Sequence, residues 1–377
     1  MNVKDIKSYC CYNNPFIKTV KIDNDACNIP YCAFYCCRAM TTVDITTDSI
    51  GKSAFYGCSA ITTANIMTNS IGKSAFYDCK KLKEISIPNS VKKIESNTFN
   101  GCSSLASVAI GSGVTTIGNN AFSDCSSLNS ITIPQNVTGI GNNAFYRCES
   151  LAEVNIADRD TELTLGYNED NDEPLFSDCP LKEVYIGGNI TYPTSSSEGY
   201  SPFYGNTTLE SVTITDKETE ISENEFYGCS SLKKVSIGDG IEKIGNYAFS
   251  GCSALESFSF GTSLKSIGDE AFSDCNAMTK LTANAQVPPT CGDQALDDIN
   301  KWSCTLYVPQ AQIEAYKAAS QWKEFFFVET GVEGVTVDGD ATEVARYNLN
   351  GARLTAPQRG INVVRMSDGS TKKVLVK

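Results

Sequence analysis

The sequence predicts an α/β repeat solenoid in which each unit is a short helical turn followed by a short parallel strand. Three observations carry that prediction. A pentad, A-F-x-x-C in its fullest form, recurs with phenylalanines at Phe34, Phe55, Phe76, Phe99, Phe122, Phe145, Phe176, Phe203, Phe226, Phe249 and Phe272, spaced by 21, 21, 23, 23, 23, 31, 27, 23, 23 and 23 residues. An apolar run of the form L-x-x-I-x-I follows the pentad, and glycine and proline punctuate the units. A period of about 20–29 residues with an L-x-x-L-x-L core marks leucine-rich repeats.

The unit Ile117 to Pro134 shows why each element is expected. Ala121, Phe122, Cys125 and Leu128 are spaced as one face of a short helix, whereas Leu128, Ile131 and Ile133 end in the alternation of a strand, with Ser130 and Thr132 outward. Pro134 lacks a ladder donor and stops the strand; Val137 and Ile140 add inward anchors before Gly141 opens the next turn. No unit can bury its apolar side alone, so the units must stack. Ile17, Val20 and Ile22 repeat the apolar run upstream of the first pentad, so the chain is expected to begin inside a repeat; this fits either an intracellular protein or a trimmed or mature form, and the missing polar cap favours trimming. Residues 1–285 form the predicted solenoid. Residues 286–330 form a cap, with a strand at Cys304 to Pro309 and a helix at Gln310 to Ser320 whose Ile313 and Tyr316, with Trp322 and Phe325, cover the core. Residues 331–377 alternate like a small β-rich module, with strands at Val344 to Leu349, Ile361 to Met366 and Lys373 to Val376 and turns at Asn350-Gly351 and Asp368-Gly369.

Charge and composition narrow the function. The 377 residues carry a net charge of -13; seven basic and five acidic residues from Gly331 onward leave residues 1–330 more acidic still, which disfavours nucleic acid and anionic membranes as partners. The chain holds no histidine, which excludes Ser-His-Asp and Cys-His nucleophilic machinery and H-E-x-x-H metal sites. No phosphate cradle appears and the outward strand positions are small and hydroxyl-rich, so no enzyme and no cofactor is expected. Ten of the seventeen cysteines sit three residues after a repeat phenylalanine, with Asn206 in the same slot once; they are read as buried free thiols, against cross-links between rungs. The remaining cysteines lack paired zinc spacing, and a bridge between Cys291 and Cys304 stays open. No run of 18 apolar residues and no signal-peptide h-region occurs.

The period breaks where the spacing lengthens to 31 and 27, and the candidate ligand-binding residues lie there. They are Tyr167, Asp170 and Asp172 in the first inserted loop, Tyr192 and Tyr200 in the second, and Tyr185 on the strand between them. Tyrosines in Ser/Gly-rich loops bring contact area at small entropic cost; unconstrained surface is the bland alternative. The run Glu169 to Glu173 offers oxygen ligands for calcium but lacks EF-hand spacing.

The repeated I-G-x-x-A-F-x-x-C-x-x-L-x-x-I-x-I-P, with Ile50-Gly51, Ile71-Gly72, Ile117-Gly118, Ile140-Gly141, Ile244-Gly245 and Ile267-Gly268 before the pentads, resembles the BspA-like leucine-rich repeats of bacterial cell-surface proteins over about residues 15–285. Ile94-Glu95 and Ile221-Ser222 depart from it. The tail from Tyr347 is similar to C-terminal β modules, some of them sorting domains, of secreted Bacteroidetes proteins. The resemblance implies an exported, cell-surface or secreted, monomeric binding protein, with relatives that attach to matrix proteins such as fibronectin and fibrinogen. It implies an extracellular protein or glycan as partner and no catalytic residues. A spacer that holds another domain away from the envelope is the competing class.

Overall fold

The protein is described by a computed structural model over residues 6–169, 173–193 and 201–330, and in the tail over 343–347, 353–356, 360–366 and 371–376. The chain divides into two compact units, Met1–Gly331 and Val332–Lys377.

The first unit is a β-solenoid of about 13 turns. Each turn contributes a strand of four or five residues to one parallel face, and most contribute a two-residue strand to a second. The first face runs unbroken over nine strands from Ser130–Ile133 to Phe327–Thr330, preceded by the pair Glu84–Ile87 and Ser107–Ile110 and by a three-stranded sheet, Thr19–Asp23, Thr42–Thr46 and Thr63–Met67. Pairing keeps each slot in register, Ile131 against Val154 and Ile133 against Ile156, so apolar columns run the length of the core. The outermost break falls where 21-residue units give way to 23-residue ones. In the shorter units the strand leads straight from Met67 to Ser70–Ile71; the longer ones insert Pro88 and the buried Val91.

The helical turn expected at each pentad does not form. The segments are chains of turns, and among the described residues the one α-helix is Ile313–Ala318 in the cap, so the α/β assignment is corrected to an essentially all-β solenoid. Asn120 (φ 55°) and Asp124 (φ 56°) lie in the left-handed region, as do Ser53 and Gly57, Asn97 and Gly101, and Asn224 and Gly228 at the same slots. Two such residues four apart cannot belong to a right-handed helix. The amides then alternate. Ala121, Ser123 and Cys125 donate back within the turn to Gly118, Asn120 and Phe122, whereas Asn120, Phe122 and Asp124 donate sideways to Asn142, Ala144 and Tyr146 of the next unit at 2.9, 2.9 and 2.8 Å. The inward spacing survives because this turn shares the helix's habit of pointing every third or fourth side chain the same way.

Those side chains stack in kind. The repeat phenylalanines form one ladder from Phe34 to Phe272, with neighbouring rings nearly parallel and 5.3 Å apart at Phe34–Phe55 and 5.9 Å at Phe122–Phe145. The pentad cysteines stay free, and from Cys58 onward each donates its thiol to the carbonyl of the phenylalanine one unit back: Cys58 to Phe34 at 3.0 Å, Cys125 to Phe99 at 3.3 Å, Cys252 to Phe226 at 3.3 Å; Cys37 donates to the Cys11 carbonyl at 3.0 Å. Asn206 serves the same slot through its amide, to Phe176 at 3.4 Å and Cys179 at 2.9 Å. From Cys79 onward burial pushes the pentad thiols up, to about 12 for Cys229 and Cys275, which keeps them protonated donors, whereas the contact with Cys58 lowers Cys37 at the start of the column. Cys291 and Cys304 are also free.

At the N-terminal end, residues 7–14 make one more rung. Cys11 donates its amide to Ala33 at 2.9 Å as Phe34 does to Ala54, so Cys10-Cys11 stand in the Ala-Phe slots. At the other end the fully buried Tyr316 and Trp322 close the core beside Phe260, with Trp322 donating to the Pro289 carbonyl at 2.8 Å. The second unit is a four-stranded antiparallel sheet of Glu343–Tyr347, Arg353–Leu354, Gly360–Met366 and Thr371–Val376. The turns expected at Asn350-Gly351 and Asp368-Gly369 lie outside the described residues.

Candidate polar binding site at the repeat break

The extra residues of the longest unit enter at two places, before the strand Leu163–Leu165 and between Leu165 and Phe176. The first insertion carries Asp158, Arg159 and Asp160. Arg159 turns inward and is 4 % exposed; its guanidinium donates to the carbonyls of Val137 (2.6 Å), Pro134 (3.2 Å), Ala157 (3.2 Å) and Ile133 (3.4 Å). It thereby satisfies the strand-end carbonyls of the preceding unit, and burial lowers its pKa from the ordinary arginine value. Gly187 and Gly188 make room for this loop: a Cβ at Gly187 would stand 2.5 Å from the Asp158 amide nitrogen, and one at Gly188 would stand 2.6 Å from the Arg159 Cγ.

With Arg159 as its floor, the loop shapes a concavity of about 410 Å³ lined by Gln135, Asn136, Asp158, Asp160, Thr161 and Lys217. Lys217 reaches across from a later unit to Asp160 at 2.5 Å, and the carboxylate raises the lysine's pKa. Tyr185, outward on the strand Glu183–Ile186, donates its hydroxyl to Asp158 at 2.6 Å, which holds the ring in place and raises the phenol's pKa. A fixed aromatic ring thus stands beside a rim of amides, carboxylates and an ammonium group. That arrangement can hydrogen-bond a polar ligand and pack against it.

Of the other predicted residues, Tyr167 lies in the later part of the first inserted loop, between Leu165 and Phe176, where its amide meets the Asn142 side chain at 3.3 Å and its carbonyl accepts from the Asn143 amide at 2.9 Å. The loop is closed by the fully buried Asn168, which donates to Pro174 and Ser177, each at 2.9 Å. Asp170, Asp172 and Tyr200 lie outside the described residues, and the calcium reading of the acidic run falls there with them. Among the described residues no group of three or more metal-ligating side chains comes together. Tyr192 is not the surface contact expected. Its ring packs on the core and its hydroxyl is turned inward toward Glu225, Ser222, Ser201 and Glu218.

That buried group was not foreseen. Glu218 fills the slot held by Val137 and Ile241 in other units, and Glu225 the slot of Ala121 and Ala248. They are 5 % and 2 % exposed. Glu225 accepts from the Ser222 amide at 2.7 Å, whereas the Glu218 Oε2 has no partner. Burial first, and mutual repulsion next for Glu218, push the carboxyls up to about 9 for Glu218 and about 8 for Glu225. Comparing residues slot by slot reveals both glutamates; searching for exposed tyrosines does not.

The fold and this geometry are accompanied by sequence relationships. The profile of the BspA-type leucine-rich repeat region matches residues 1–73, 69–197 and 196–301. No curated protein matches the chain. Among solved structures, it is similar to a leucine-rich repeat protein from Bacteroides ovatus, at 24 % identity over 81 % of this chain and 87 % of the other, with a TM-score of 0.42. It is similar to a leucine-rich cell surface protein from Faecalibacterium prausnitzii, at 20 % identity over 86 % and 82 %, with a TM-score of 0.37. It is also similar to the pneumococcal vaccine antigen PcpA, at 17 % identity over 84 % and 83 %, with a TM-score of 0.31. No helix among the described residues is long and apolar enough to cross a membrane. With matches over most of its length and the pentad, cysteine and strand slots all occupied, the chain belongs to the BspA-type leucine-rich repeat family.

Proposed function

We propose that this is a non-catalytic binding protein of the bacterial surface, which attaches to an extracellular protein or glycan through the concavity beside Tyr185. The observation that carries the reading is the departure from the repeat at one place. Among the described residues, only there does an insertion supply a polar cavity with a buried arginine floor and an aromatic ring fixed beside it by Asp158. Family membership and the cell-surface description of one similar protein support an exported location. Matrix proteins such as fibronectin and fibrinogen are the ligands to try first.

The spacer reading draws on a different observation. Lys217 and Tyr185 already have partners within the chain, which suits loops that lock adjacent units together. An array of matrix proteins and glycans probed with the purified chain separates the two. Saturable binding to a member of the array supports attachment; a chain that is folded and binds none of them supports the spacer.

A further inference from the structure

We propose that the turn face of the four N-terminal units is a second binding surface, and that it takes an acidic polysaccharide. The slot after the repeat phenylalanine holds Tyr12, Tyr35, Tyr56 and Tyr77, which form one column with ring centroids 4.9, 4.6 and 4.5 Å apart and planes within 8° of parallel. Because the rings cover one another's faces, the column presents edges and phenolic groups to solvent. Ring edges carry the positive end of the aromatic quadrupole. The hydroxyls of Tyr35, Tyr56 and Tyr77 have no hydrogen-bond partner among the described residues, so each can donate and accept.

Charge on these turns has the same sign. Among the described residues, Lys7, Arg38, Lys52, Lys73 and Lys80 stand on them, all exposed, against one carboxylate, Asp78, which lies 3.9 Å from Lys80. The Lys52 ammonium lies 5.9 Å from the centre of the Tyr31 ring, which fills the equivalent slot one unit earlier. Residues 1–80 hold eight basic and six acidic side chains in a chain whose net charge is -13. Of the acids, Asp23 and Asp44 are on the strands, and Asp44 is paired with Lys21 at 3.2 Å. A cationic stripe on an acidic protein steers an anionic polymer to one face.

The stacking decides which polyanion fits. Single-stranded nucleic acid binds by laying bases on open ring faces, and here all but the terminal faces are taken. A sugar polymer that carries carboxylate or sulfate groups uses both features present, the row of phenolic hydroxyls and the flanking ammonium groups.

The test is retention of the full chain on immobilised heparin, with dextran, polyglutamate and oligo-dT as parallel supports. Two variants use residues that other units already place in the same slots. K52S/K73S borrows Ser96, and Y56S/Y77S borrows Ser123, so both retain the fold. Binding to heparin that weakens with added salt, falls about tenfold in K52S/K73S and also falls in the charge-neutral Y56S/Y77S is the expected result. Absence of heparin binding, binding by either variant equal to that of the unaltered chain, or stronger binding to oligo-dT or polyglutamate overturns the proposal.

Discussion

The thiol of Cys125 donates to the carbonyl oxygen of Phe99, one unit back, at 3.3 Å, and the same bond recurs along the cysteine column. The cysteine slot is therefore a bonded position as well as a small one. Replacing Cys125 with alanine removes the donor without adding volume, and is expected to cost about 1–2 kcal/mol in chemical denaturation. A cost near zero would show the bond to be incidental.

Phe122 is fully buried in the ring ladder, whereas Ser130 stands on the outward side of its strand. Phe122→Ala should lose about 3–5 kcal/mol and Ser130→Ala less than about 0.5 kcal/mol, read from urea midpoints at constant slope.

Glu218 and Glu225 make stability depend on pH. Their folded pKa values, about 9 and about 8, lie above the ordinary carboxyl value of 4.5. Between these limits the folded chain binds more protons than the unfolded one, so the contribution is full below the ordinary value and is lost as pH rises through about 8 to 9. Among the described residues the titratable groups facing them are Tyr192, the two carboxyls themselves and Glu220, which is paired with Lys243 at 2.6 Å. Glu218→Val with Glu225→Ala restores the residues of other units. The double variant should gain roughly 1–3 kcal/mol at pH 8 and much less at pH 5, read from denaturation midpoints at the two pH values. A gain of equal size at both would place the cause in packing.

Much of the fold was legible because the inward slots repeat. Phe122, Leu128, Ile131 and Ile133 are inward whether the pentad is a helix or a turn. The helix itself was misread for a non-local reason. The Asn120, Phe122 and Asp124 amides bond to the next unit, and only the neighbour reveals that use. At the site, Tyr185 could be placed from strand alternation, but its partner Asp158 and the crossing Lys217 come from other units. Arg159 reads as a surface charge until the carbonyls beneath it are seen. Tyr192 was misassigned because loop position was taken for exposure, although Glu218 and Glu225 in apolar slots already signalled a buried polar group there.

The most direct test of the attachment site is binding of the chain to whichever array ligand it recognises, beside Tyr185→Ala combined with Lys217→Ala. Lys217 is exposed and the half-buried Tyr185 is not part of the core, so the double variant should stay folded, with a stability loss of no more than about 1 kcal/mol. Affinity for the ligand is predicted to fall at least about tenfold, as expected when an aromatic anchor and its polar neighbour are removed together. Unchanged affinity in the folded double variant would contradict the assignment of the site.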